Sequence, residues 1–115
     1  MYKDIKSPNK YVSEICNLFK RKELKFIFSD IKECHGYYVT VENTNLHIII
    51  LDTKKEFIPT LIHECIHFLY PKYSEKKTLY AENVIMESGT NNIMKILKGF
   101  SSDACVINKE LEDLI

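Results

Sequence analysis

Apolar residues recur along this chain with two different periods, and each change of period marks an element. Behind Ser7-Pro8, Tyr11, Val12, Ile15, Cys16, Leu18 and Phe19 fall at helical spacing, and the pattern stops near Lys20-Arg21-Lys22. A serine cap followed by proline at the first helical position starts a helix, so this segment is predicted to be an amphipathic helix with a solvated basic end. Leu24 to Ile31, Gly36 to Val41 and Leu46 to Leu51 are rich in Tyr, Phe, Val and Ile and are separated by polar turns at Lys32-Glu33 and Glu42-Asn43-Thr44-Asn45. They predict three strands of one small sheet. The helical period returns with Ile58, Leu61, Ile62, Cys65, Ile66 and Leu69 on one face and Glu56, Thr60, His63, His67 and Tyr70 on the other. Pro59 is tolerated only in a first turn and Pro71 cannot continue a helix, which bounds this element at about 13 to 15 residues.

The turn Tyr70-Pro71-Lys72-Tyr73-Ser74 places Ser74 as the cap of a helix that reaches Glu87 and runs back alongside its predecessor. Ser88-Gly89 breaks the pattern. Helical stretches are expected over Asn91 to Leu97 and, as a last turn or helix, from Asp103 to Leu114. The expected fold is therefore α+β, one domain over residues 1 to 115: an N-terminal helix, a three-stranded sheet, a central helix, a return helix and C-terminal helices.

Composition narrows the function. The chain has 115 residues, 45% hydrophobic and 28% charged, with 16 basic and 16 acidic side chains. That is ordinary for a folded domain, and there is no global field to attract nucleic acid. Fifteen of the basic residues are lysine and only Arg21 is arginine, which further disfavours bidentate reading of bases or phosphates. Cys16, Cys34, Cys65 and Cys105 are scattered without a C-x-x-C pair and read as reduced thiols, with Cys65 packed on the apolar side of its helix. The aliphatic run Ile48 to Leu51 is too short to span a bilayer, and the N-terminus lacks a hydrophobic signal core, so a cytoplasmic location without membrane association is expected.

The chemistry concentrates in His63-Glu64-Cys65-Ile66-His67. Two histidines four apart on a helix project from one face and can reach one tetrahedral Zn²⁺, while Glu64 lies close enough to hold the water at an open coordination position. Chance alone gives such a pentapeptide in roughly one sequence in a hundred of this composition. Here it lies on the polar stripe of an otherwise apolar helix, where solvated helix histidines would have little reason to be. A catalytic zinc usually has three protein ligands, so one more is needed. On the return helix Leu79, Glu82 and Met86 share a face, and a carboxylate on an inward apolar face is costly unless a cation compensates it. Glu82 is the preferred third ligand on that argument. Glu75 is explained by the helix dipole and Glu87 by solvent, and both remain as alternatives.

The segment Thr60 to Pro71 with its H-E-x-x-H, followed by a return helix carrying Ser74-Glu75, Thr78 and Glu82, resembles the zincin metallopeptidases. The likeness is nearest to small single-domain gluzincin-like proteins, also called minigluzincins, and to short metallopeptidase-like proteins of phages and bacteria. It covers most of the chain in layout and residues 58 to 82 in motif. The resemblance implies one zinc per chain held by His63, His67 and Glu82, Glu64 as general base in peptide hydrolysis, and an extended peptide or protein substrate paired to an edge strand, either Gly36 to Val41 or Leu46 to Leu51. It also implies an acidic residue four positions after the glutamate ligand, to orient the first histidine; that position is Met86. Tyr70, Tyr73 and Tyr80 are candidates for an oxyanion donor, and His47 for the cleft wall, although each also reads as a packed side chain. Two other classes share the motif: a zinc-binding regulatory or structural module with little peptidase activity, and an SprT-like protease acting near DNA, which normally carries the basic surface this chain lacks.

Overall fold

A computed structural model describes residues 2–29, 36–52 and 56–107. The element order is α1 (Pro8–Leu18), β1 (Leu24–Ser29), β2 (Gly36–Thr40), β3 (His47–Asp52), α2 (Phe57–Leu69), α3 (Glu75–Glu87), α4 (Thr90–Asp103) and β4 (Cys105–Ile107). The class is α+β. The sheet has four strands in the order β2-β3-β1-β4. β1 pairs parallel with both β3 and β4, and β2 pairs antiparallel with β3.

Two helices begin at serine caps that the sequence dictates. The Ser7 hydroxyl accepts from the Lys10 amide and Pro8 occupies the first turn of α1; the Ser74 hydroxyl accepts from the Lys77 amide at the start of α3. Both satisfy amide donors that a helix start leaves unpaired. Between β2 and β3 the chain turns at residues 41 to 46. There the Val41 amide donates to the Leu46 carbonyl at 3.0 Å, and the Thr44 hydroxyl donates to the Val41 carbonyl at 2.8 Å. Asn43 takes the left-handed conformation at φ 63°, which asparagine tolerates better than most residues.

The register explains why β3 reads as an unbroken aliphatic run. Ile48 to Leu51 are all buried, because β3 lies between β2 and β1 and carries a core cluster on each face. Ile49 and Leu51, with Leu24 and Phe26 of β1, join the buried residues of all four helices in the main core. Ile48 and Ile50 form a smaller cluster on the opposite face with Ile27, flanked by Val39, Val41, Leu46 and Ile107. Three aromatic rings, Phe19, Phe26 and Phe100, meet edge to face with centroids 5.1 to 5.8 Å apart and tie α1, β1 and α4 together.

Several expectations need correction. α4 runs to Asp103 and does not end at Leu97, because Ile96 and Phe100, four apart, both bury in the core and carry the helix through Gly99. The last helix does not begin at Asp103. Residues 105 to 107 add a fourth strand to the sheet edge, where β1 offers unpaired backbone groups; residues 108 to 114 of that expected helix, Cys34 and the turn at Lys32-Glu33 lie outside the described residues. β3 is interior, so of the two candidate edge strands only β2 lies at an edge. Among the described residues no helix is long and apolar enough to cross a membrane.

Candidate metal centre

The polar stripe of α2 faces the edge strand β2 and the first half of α3. Gly36 makes the first approach possible: a Cβ there would stand 2.9 Å from both the Thr60 Cγ2 and the Ile50 carbonyl oxygen. Only a residue without a side chain lets β2 lie this close to the motif helix. Thr60 and Glu64 are consequently buried although they occupy the polar stripe.

His63 and His67 stand one turn apart with ring centroids 4.7 Å apart. One carboxylate bridges them: Glu75 places Oε1 2.6 Å from His63 Nε2 and Oε2 2.9 Å from His67 Nε2. Glu82 approaches the other side of the first ring, with Oε1 2.8 Å from His63 Nδ1. His63, His67 and Glu75 each offer a ligand atom within 4.8 Å of the others, a group that could hold a metal ion. The donor chemistry fits a cation. His63 has a carboxylate oxygen against each ring nitrogen, and a neutral imidazole can donate to only one of them. If Nδ1–H donates to Glu82, the lone pair on Nε2 points into the group formed with His67 and Glu75, as a metal-ligating histidine requires.

This arrangement differs from the expected set of His63, His67 and Glu82: Glu75 lies beside the two Nε2 atoms, and Glu82 sits against Nδ1 of His63. The burial argument for Glu82 holds, since its side chain is only 12% exposed against 71% for Glu75, but the group that compensates it is an imidazole. The seven residues from Glu75 to Glu82 are about two helical turns, so both carboxylates face the motif helix and reach His63 from opposite sides of its ring. Met86, the position implied for orienting the histidine, packs against the core instead. Leu79 does not face inward either: it is 49% exposed, and the buried face of α3 is Thr78, Ala81 and Ile85.

The electrostatics follow from these contacts. The bond to Glu82 holds the His63 pKa above the ordinary imidazole value, against the opposing effect of burial and with help from Glu75. Burial raises the Glu64 carboxyl above the ordinary range, while the charges of His63 and His67 pull it back. Burial also acts to raise Glu75, but its bond to His63 and the charges of both histidines prevail and leave it below the ordinary value.

Two cavities open on either side of the motif. One, of about 400 Å³, lies between the start of α2 and the middle of α3; the other, of about 480 Å³, lies between β2 and the turn after α2. Both are lined in part by Gly36, His63, Glu64 and Glu75. Tyr38 and Pro71 wall the second. Tyr38, Gly36 and Leu79 are site residues that sequence reasoning passed over, because only the pairing of β2 with β3 and the docking of α3 bring them to the motif.

Of the tyrosines singled out by sequence, Tyr73 and Tyr80 are engaged elsewhere, and the Tyr70 hydroxyl is buried with no hydrogen-bond partner among the described residues. The Tyr73 hydroxyl bonds to that of Tyr11 at 3.0 Å, Tyr70 stacks on Tyr73, and Tyr80 packs edge-on to Tyr2. His47 Nδ1 lies 2.7 Å from the Tyr38 hydroxyl, and the two rings are stacked, so it is a satisfied structural histidine. Cys65 is buried in the core, and burial pushes its thiol far up. Cys16, Cys65 and Cys105 are free thiols.

No protein-family model, curated protein or solved structure matches this chain. The chemistry of the centre therefore has to be read from its own residues.

Proposed function

We propose that this chain is a zinc-dependent metallopeptidase of the zincin type, in which His63, His67 and Glu75 hold the metal, Glu82 orients His63 and Glu64 is the general base. One observation carries the reading: a carboxylate with 9% exposure, Glu64, lies between two open cavities and beside a converging His/His/Glu donor set. A purely structural metal site has no use for a buried base opening onto a cleft.

A bound zinc ion would supply Lewis acidity, polarising a peptide carbonyl and acidifying water. Glu64, its pKa raised by burial, is matched to take a proton from the attacking water and return it to the departing amine. Glu82 lies against Nδ1 of His63 and would accept its proton there, leaving Nε2 to the metal when an ion is bound. Among the described residues β2 is the outer strand on its side of the sheet, and an extended peptide would add there as a further strand.

The test combines metal analysis with one substitution. The purified protein should hold close to one zinc per chain, and a chelator should abolish peptide cleavage. Glu64→Gln should retain the zinc and the fold while turnover falls by several orders of magnitude. A protein that takes up no zinc even on reconstitution would end this reading, and loss of zinc in Glu64→Gln would make Glu64 a ligand.

A further inference from the structure

The cavity between α2 and α3 combines two features that a single kind of side chain satisfies together. Its walls include Pro59, Thr60 and Leu79, and Leu79 is 49% exposed, with its apolar surface left uncovered beside the buried Glu64. Around that apolar wall stand carboxylates, and among the described residues no lysine or arginine lines it. Three of the carboxylates have tasks: Glu75 bridges the histidines, Glu82 holds His63, and Glu64 is the buried base. The fourth, Glu56, is exposed at the start of α2; its side chain makes no capping bond and has no ion-pair partner among the described residues. A carboxylate with no ion-pair partner among the described residues at the mouth and an exposed leucine within describe a receptor for a long aliphatic stem with a cationic head.

The geometry points to this cavity as the subsite for a lysine or arginine side chain of the substrate, with Glu56 and Leu79 as its specificity-determining residues. The inference rests on the peptidase reading and adds the substrate class to it. A neutral aliphatic side chain would cover Leu79 but leave Glu56 unpaired, and an acidic one would face Glu56 and Glu82 with like charge. The second cavity differs in kind: its walls are Tyr38 and Pro71, and among the described residues Glu75, already bonded to both histidines, is its only carboxylate besides Glu64. The two cavities share Gly36, so a substrate strand passing over that residue would place one side chain in each and the scissile bond between them.

The zinc-loaded protein is given a set of synthetic peptides, identical but for one scanned position carrying lysine, arginine, norleucine or glutamate, and cleavage is read by mass spectrometry. At one position flanking the cut, lysine and arginine should exceed norleucine about two- to fivefold in kcat/KM, the range of a solvent-exposed ion pair. Glu56→Gln should bring the lysine-to-norleucine ratio to about one, and Glu56→Lys should turn the preference toward glutamate. Leu79→Asn should weaken the lysine and norleucine peptides together, since both lose the apolar wall. A wild-type preference for glutamate, or a ratio unmoved by Glu56→Gln, overturns the subsite while leaving the peptidase intact. Cleavage of no peptide at all overturns the peptidase reading, and the subsite with it.

Discussion

Glu75 and Glu82 lie on the same helix, seven residues apart, and touch opposite nitrogens of one imidazole. Their substitutions should therefore separate. Glu75→Gln removes an anionic donor from the metal group and should cost most of the zinc affinity in a competition titration against a chromophoric chelator. Glu82→Gln leaves the three donors in place but frees the Nδ1 side of His63, and the loss should be about 10- to 100-fold, the usual worth of a group that orients a ligating histidine. A greater loss in Glu82→Gln than in Glu75→Gln would return Glu82 to the ligand set. Exposure makes the contrast cleaner. Glu75 is largely solvated, so replacing it should not disturb packing, whereas Glu82 is nearly covered.

The element on which both residues sit is weakly anchored. α3 buries only Thr78, Ala81 and Ile85; its start is pinned by the Ser74 cap, and by Lys77, which pairs with Asp4 and lies 4.3 Å from the Tyr73 ring centroid. Among its buried side chains Thr78 is anomalous, fully covered with a hydroxyl that has no hydrogen-bond partner. Burying an unpaired hydroxyl costs about 1 to 3 kcal/mol, and valine offers the same shape without it. Thr78→Val should accordingly stabilise the protein by about 1 kcal/mol, a rise of about 3 to 5 °C in Tm. Destabilisation instead would mean that the hydroxyl is satisfied in solution.

At the scale of the whole molecule, a metal held by α2 and α3 would join two elements that otherwise share a tight turn and a small apolar face. Because the donor set converges only in the folded chain, binding would add to stability by mass action, about 4 kcal/mol when free zinc is a thousandfold above its dissociation constant. Thermal unfolding followed with excess zinc and with chelator should then differ by about 10 °C or more, and the difference should nearly vanish in Glu75→Gln. Identical melting curves under the two conditions would refute a metal link between the helices.

The sequence by itself determined the elements whose signals are local. The caps at Ser7 and Ser74 and the prolines at 8, 59 and 71 bounded helices, and the aliphatic run at 48 to 51 marked a strand. It also determined that His63 and His67 share a helix face, because four residues on a helix are about one turn whatever surrounds them. The tertiary structure decided what depends on how elements dock. Which of Glu75 and Glu82 lies beside the two Nε2 atoms and which takes Nδ1 of His63 depends on how α3 docks on α2, and periodicity is blind to it because both glutamates lie on nearly the same side of the helix, seven residues apart. The fourth strand, three residues long, carries too short a pattern to be told from a helix end, and its place at the sheet edge comes from the partner β1. Tyr38 and Gly36 read as ordinary strand residues until antiparallel pairing with β3 sets β2 against the motif helix. Contacts between residues far apart in sequence leave no periodic trace, and the His63/His67/Glu75 group and both cavities beside it are made of such contacts.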